Sequence, residues 1–120
     1  QLAAADYLFE DHRPYRISLR NEMRSRIKNS SKILDAASKI TYAKPNSGIY
    51  FFLNIAESKL DGKEFSIKLL NNCCVCVCPG IAFGPSGKNY IRICISGEEN
   101  NLYSGLKKIV VFFNNLVESK

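Results

Sequence analysis

Residues 79–93 read Pro79-Gly80-Ile81-Ala82-Phe83-Gly84-Pro85-Ser86-Gly87-Lys88-Asn89-Tyr90-Ile91-Arg92-Ile93. Proline and glycine punctuate the first half, which predicts a tight loop. The second half opens a strand. Period-two alternation sets Tyr90, Arg92 and Cys94 on one face and Ile91, Ile93 and Ile95 on the other. A guanidinium inside a buried strand is costly unless an anion matches it. Its planar fork suits a carboxylate bidentately. A wet face would equally make Arg92 a surface residue, and the pattern leaves both readings open.

Upstream of the loop, Cys73 to Cys78 reads as another strand. Cys74, Cys76 and Cys78 then share one face and Cys73 takes the other. Asp61-Gly62-Lys63-Glu64 has the form of a capping box, with Asp61 as N-cap and Glu64 at N3. The short helix it opens turns Phe65, Leu69 and Leu70 inward and stops at Asn71-Asn72. Ile49 to Ile55 is a near-continuous apolar run, expected as a strand buried on both faces. Lys44-Pro45-Asn46-Ser47-Gly48 before it is turn chemistry.

Residues 2–9 are Ala-rich and helical in propensity, and Pro14 ends or kinks that helix. Tyr15, Leu19, Met23, Ile27, Leu34 and Ala37 continue a helical period, blurred at Asn29-Ser30-Ser31. Downstream of the loop, Ser96-Gly97-Glu98-Glu99 reads as a second capping box. It starts a helix with Leu102, Leu106, Ile109, Val110, Phe113, Leu116 and Val117 on one face. The expected fold is α/β in layers, a small mixed sheet of about three strands with helices packed on one face. One domain fills residues 1–120. Residues 1–44 form a long N-terminal helical segment, and residues 45–120 run strand-helix-strand-strand-helix.

Composition fits a chain of that kind. Of 120 residues, 46% are hydrophobic and 23% charged, too apolar for intrinsic disorder. No apolar run approaches the ~18 residues of a membrane helix. Seventeen basic against eleven acidic residues give a formal charge of +6, which favours acidic partners without choosing among them. Arg16, Arg20, Arg24 and Lys28 recur at i,i+4 and read as a solvated face or as a basic stripe for phosphate or an acidic neighbour domain. A stand-alone domain binding RNA or DNA is therefore one alternative. It lacks a nucleic-acid motif, and its aromatics read as core.

Chemistry-bearing patterns are few. Cys73, Cys74, Cys76, Cys78 and Cys94 are odd in number and crowded, a poor disulfide framework. Their spacing does not match paired C-x2-C zinc ligands. They are expected as small buried hydrophobes in a reducing, cytoplasmic compartment. The single His12 sits beside Pro14 with no nucleophile placed near it. There is no P-loop, no G-x-G-x-x-G after a strand and no H-E-x-x-H. No complete catalytic set and no metal site is expected. The opening Gln1-Leu2-Ala3-Ala4-Ala5-Asp6 carries no signal-peptide pattern and is expected to belong to a longer protein.

The run Pro79-Gly80-x-x-Phe83-Gly84-x-x-Gly87-x-x-Tyr90-x-Arg92 resembles the C-terminal signature of fold-type-I pyridoxal-phosphate-dependent aminotransferases, class I/II. Pro45-x-x-Gly48-Ile49-Tyr50-Phe51-Phe52 is similar to the strand that opens the small domain of that family. The helix from Asp61, the strand into Pro79-Gly80 and Ser96-x-x-Glu99 follow in the family's order. The resemblance implies an aminotransferase small, C-terminal domain in which Arg92 holds the substrate α-carboxylate and Gly80, Phe83, Gly84 and Gly87 shape the supporting loop. It implies amino-acid and 2-oxo-acid substrates, pyridoxal 5'-phosphate bound by a large domain outside this chain, and a homodimer. The family's cofactor-linked lysine precedes Gly-x-Arg-x-Gly. Ser31-Lys32 and Ser38-Lys39 lack that sequel, so the chain alone is expected to be inactive. A decarboxylase, lyase or synthase of the same fold remains an alternative reaction, and neither membrane nor nucleic acid is expected as a partner.

Overall fold

The computed structural model describes Tyr7 and residues 12–119. Among the described residues, three longer helices, α1 (Arg13–Leu34), α2 (Gly62–Cys73) and α3 (Glu99–Glu118), pack on a sheet of four strands. The strands are β1 (Thr41–Tyr42), β2 (Tyr50–Asn54), β3 (Cys78–Pro79) and β4 (Tyr90–Cys94). Their order across the sheet is β1-β2-β4-β3, every pair antiparallel. The sheet is therefore not mixed, and it has one strand more than expected. The extra strand, β1, lies within residues 1–44, so that stretch is not helical throughout. It pairs Thr41 with Asn54 and Tyr42 with Leu53. The helix expected over residues 2–9 lies outside the described residues, Tyr7 aside.

One sheet face carries the core. Phe51, Leu53 and Ile55 from β2 and Ile91, Ile93 and Ile95 from β4 are buried. Leu102, Leu106, Ile109, Val110 and Phe113 of α3, Ile27 and Leu34 of α1, and Phe65 and Leu69 of α2 join the same cluster. Each fully buried Leu, Ile or Phe contributes about 1.5–3 kcal/mol. The helices thus cover one face, as the alternation of β4 requires. β2 is buried on that face only: Phe51 and Leu53 are buried while Tyr50 is exposed and Phe52 half-buried. Its apolar run encodes a buried face plus an aromatic open face, not two buried faces.

Local chemistry sets the helix ends. Pro14 falls in the first turn of α1, where its missing N–H costs nothing. It starts a helix rather than breaking one. α1 runs unbroken through Asn29-Ser30-Ser31, with Ser30 and Ser31 buried against the core. Its apolar stripe reaches the core only from Ile27 onward, and Tyr15, Ile17 and Leu19 stay exposed. At α2, Asp61 Oδ1 accepts from Lys63 N at 3.0 Å and Glu64 N at 2.9 Å, and Glu64 Oε2 accepts from Asp61 N at 3.4 Å. This is the expected capping box. α2 runs past Asn71-Asn72 to Cys73, and Leu70 faces outward, 48% exposed. At α3 the cap lies two residues later than the sequence pattern suggests. Glu98, not Ser96, accepts from Asn100 N and Asn101 N, at 3.0 and 2.7 Å.

Tyr42 ties β1 to α1. Its hydroxyl donates to Asp35 Oδ1 at 2.7 Å. Burial and then the Asp35 bond raise its pKa above the ordinary value. The neutral hydroxyl is the form the fold holds. Its contribution is therefore fully present below the ordinary tyrosine pKa of about 10 and lost as pH rises through the raised value. Tyr42→Phe should cost about 1 kcal/mol near neutral pH. The difference between the urea midpoints of wild type and variant should shrink as pH climbs past about 10; a gap that stays constant would show that the Asp35 bond contributes nothing.

Candidate functional site

The open face of the sheet is built around Arg92. Register sets Phe52 of β2 directly opposite Arg92 on one side and Cys78 of β3 on the other. Arg92 is half-buried on this face, between the fully buried Ile91 and the buried Ile93 of the opposite face. That resolves the two readings of the sequence. The strand is buried on one side only, and the guanidinium lies on the other, neither sealed in the core nor fully in water.

Aromatic rings fix where the guanidinium lies. Its carbon stands 4.2 Å from the Tyr50 ring centroid and 4.1 Å from that of Phe83. Phe52 stacks on Tyr90 with centroids 4.8 Å apart and meets Phe83 edge-on at 6.2 Å. Cation–π contacts of this kind contribute about 0.5–1 kcal/mol each at exposed sites. They also hold the plane of the fork. Among the described residues, Arg92 makes no ion pair or hydrogen bond to protein. Its N–H edge is thus available to an anion. The aromatics of this face are not core, contrary to the sequence expectation, because strand alternation carries Tyr50, Phe52 and Tyr90 away from the helices.

The loop under Phe83 holds two short 3-10 turns, Gly80–Phe83 and Pro85–Gly87. Gly80 and Gly87 are buried and press backbone to backbone. A Cβ on Gly80 would stand 2.5 Å from the Gly87 carbonyl oxygen and 2.7 Å from Tyr90 Cβ, and one on Gly87 would collide with the Gly80 carbonyl. Gly84 has φ +124° and ψ 165° between the two turns, a conformation essentially confined to glycine. All four loop residues expected from the sequence thus serve one arrangement. Phe83 touches Arg92 itself, and the glycines let the loop fold tightly enough to bring it there.

Two structural supports escaped the sequence reading. Gly62, at the start of α2, donates to Lys88 O at 2.7 Å, and a Cβ there would collide with the Tyr90 carbonyl. Arg26 reaches from α1 to the far end of β4, where its Nη1 donates to Ile95 O at 2.8 Å and to Gly97 O. Its Nη2 pairs with Glu22 at 2.6 Å. Arg26 lies off the exposed stripe of Arg16, Arg20, Arg24 and Lys28. No local signal marks it, since its partners are backbone carbonyls some 70 residues away.

The cysteines depart from expectation. All five are free, but Cys74, Cys76 and Cys94 are exposed and Cys73 and Cys78 half-buried. Cys73 ends α2, and Cys74 caps it in the left-handed conformation at φ 54°. The expected strand shrinks to Cys78–Pro79 as a result. Val75 and Val77 pack against the core together with Cys73, whereas Cys74 and Cys76 are exposed. A thiol titration without denaturant should find Cys74, Cys76 and Cys94 reacting ahead of Cys73 and Cys78; slow reaction of all five until urea is added would contradict that exposure. Among the described residues no three His, Cys, Asp or Glu gather as a metal site. His12 stacks on Tyr7 at 4.0 Å. The strand positions of the open face, Thr41, Tyr50, Phe52, Asn54, Cys78, Tyr90, Arg92 and Cys94, include no lysine. An anion fork and π surfaces do not by themselves fit pyridoxal phosphate, which needs an amine for its aldehyde.

The sequence and the fold are similar to those of known proteins. The profile of aminotransferase class I and II matches residues 5–109. The chain belongs to that family. A (5-formylfuran-3-yl)methyl phosphate transaminase of Methanocaldococcus jannaschii is 46% identical over 70 residues, 58% of this chain and 18% of that protein. An aspartate aminotransferase of Pyrococcus horikoshii is 31% identical over 91 residues, 76% of this chain and 23% of that protein. The crystal structure of an aromatic aminotransferase from Pyrococcus horikoshii superposes with a TM-score of 0.79 at 28% identity, over 88% of this chain and 28% of that one. The chain thus spans about a fifth of the length of these two curated relatives. No helix among the described residues is long and apolar enough to cross a membrane.

Proposed function

We propose that residues 1–120 form the C-terminal small domain of a longer pyridoxal-phosphate-dependent aminotransferase, and that Arg92 binds the α-carboxylate of its amino-acid and 2-oxo-acid substrates. The carrying observation is the guanidinium set against Tyr50 and Phe83 on the open sheet face, with no anion beside it among the described residues. A carboxylate meeting that edge gains two parallel charge-assisted hydrogen bonds. Held there, the substrate has its Cα–H bond oriented by the protein rather than by chance, and correct orientation lowers the barrier to proton removal. Tyr50 and Phe83 keep the fork in plane. Gly80, Gly84 and Gly87 keep Phe83 in place. The remaining apolar ring surfaces exclude water as the small domain closes on the large one, which strengthens the ion pair.

Pyridoxal 5'-phosphate, bound by the large domain, supplies the electron sink in this reading. The full enzyme is proposed to be a cytoplasmic homodimer. The test is an assay of the intact protein with an amino-acid donor and a 2-oxo-acid acceptor, with and without pyridoxal phosphate. Cofactor-dependent appearance of the new amino acid together with the donor's 2-oxo acid is expected. Release of carbon dioxide or of an eliminated group without amino transfer would replace transamination by another reaction of the fold. No cofactor-dependent turnover of any amino acid would overturn the proposal.

A further inference from the structure

The cysteine-rich run has no part in the reading above, and it supports a separate inference that does not depend on it. β3 and β4 pair antiparallel with Cys78 opposite Arg92 and Pro79 opposite Ile91. Carried two residues beyond Cys78, that register sets Cys76 opposite Cys94. Both are exposed free thiols. Both also line one small cavity of about 130 Å³ between residues 75–77, the end of β4 and α3. Residues directly opposite in an antiparallel pair stand about 4.5–5.5 Å apart at Cα. That spacing falls within the roughly 4.4–6.8 Å a disulfide spans. The ladder itself stops at Cys78, so residues 75–77 can draw toward β4 without breaking a pairing. Cys94 Sγ also lies 3.0 Å from Ser96 Oγ, a hydroxyl able to donate to the sulfur.

We propose that Cys76 and Cys94 form an oxidative modification site, closing to a cross-strand disulfide under peroxide. The Cys94 thiolate attacks one oxygen of hydrogen peroxide and the O–O bond breaks. Hydroxide leaves, takes up a proton as water, and a sulfenic acid remains on Cys94. The Cys76 thiolate then attacks that sulfur, and the second oxygen leaves as water. In all, two thiols and one peroxide give one disulfide and two waters. The bond would clamp the segment before β3 onto the strand that carries Arg92, two residues from it on the same face. Reduction by an excess thiol restores both cysteines.

The test uses the intact protein treated with hydrogen peroxide, alkylated, digested and read by mass spectrometry. The expected product lacks two hydrogens and joins the peptide of Cys94 to that of Cys76, with fragmentation assigning the bond among the neighbouring cysteines. Dithiothreitol should reverse it. Cys76→Ser and Cys94→Ser should each abolish the crosslink. Cys74→Ser should leave it intact, which separates a specific pair from general oxidation of the run. Both positions of the pair are exposed, so serine should be tolerated there, and unchanged urea midpoints of the reduced variants check this. A dominant bond from Cys94 to Cys74 or Cys78, disulfides only between molecules, or oxidation of Cys94 without any partner would overturn the assignment.

Discussion

Replacing Arg92 with alanine in the intact enzyme should lower kcat/KM for amino-acid substrates by about 30- to 4,000-fold. The range follows from the roughly 2–5 kcal/mol lost when one partner of a desolvated, hydrogen-bonded charge pair is truncated. The partly exposed position of Arg92 in this chain argues for the lower half of it unless the closing large domain dries the site. Arg92→Lys should recover only part of the loss. An ammonium keeps the charge but cannot offer two parallel N–H bonds in the plane fixed by Tyr50 and Phe83. Cofactor binding, followed by its visible absorbance, should survive both changes, since the open-face strand positions supply no amine for the aldehyde. Unchanged turnover in Arg92→Ala would show that another group holds the carboxylate. Loss of the bound cofactor together with turnover would show that Arg92 supports the fold instead.

The parts of this site that the sequence makes legible are those set by strand period. Tyr90 to Ile95 alternate strictly, and one buried face forces Arg92 onto the other. The same logic misleads at β2. Tyr50 and Phe52 look like core in a run of apolar residues, but they form the open face because their neighbours across the ladder are Cys94 and Arg92. An aromatic ring is as much at home against a guanidinium as against leucine, so apolarity alone cannot separate the two. β1 was illegible for a different reason. Two residues carry no periodicity, and Thr41–Tyr42 become a strand only by pairing with Leu53 and Asn54.

The cysteine run shows how a helix end can override a strand pattern. Residues 73–78 have the composition of a strand, yet α2 does not stop at Asn71-Asn72. It carries on to Cys73, and the left-handed Cys74 then turns the chain. What survives is the alternation itself, Cys73, Val75 and Val77 inward against the core and Cys74 and Cys76 outward. The apolar positions early in α1 fail as core for want of a covering element among the described residues. Tyr15 and Leu19 keep the right period yet stay exposed, as does Ile17 off that stripe, and Arg26 hydrogen-bonds α1 to the end of β4. Close backbone approaches are the least legible features of all. Nothing around Gly62 announces that the Tyr90 carbonyl lies where its Cβ would be.

That last kind of constraint yields the largest expected effect on stability, at Gly87. Alanine there would drive a methyl group into the Gly80 carbonyl, which is backbone and cannot rotate away. Gly80 in turn is hemmed in by Tyr90 Cβ and Phe52 Cζ, at 2.7 and 2.9 Å from where its own Cβ would stand. The loop can relieve the collision only by parting its two turns, and that lifts Phe83 from Arg92. Gly87→Ala should cost about 3 kcal/mol, the upper end of overpacking penalties. Gly84→Ala isolates the other possible cause. No atom lies within 4 Å of its Cβ position, and its cost comes from φ +124° alone, about 1–3 kcal/mol. Urea unfolding of the two variants should therefore rank Gly87→Ala below Gly84→Ala. In the intact enzyme Gly87→Ala should also raise KM for the amino acid, because the ring that fixes the guanidinium plane has moved. A Gly87→Ala protein with a wild-type urea midpoint would mean that the loop yields freely and that the Gly80–Gly87 contact does not lock it.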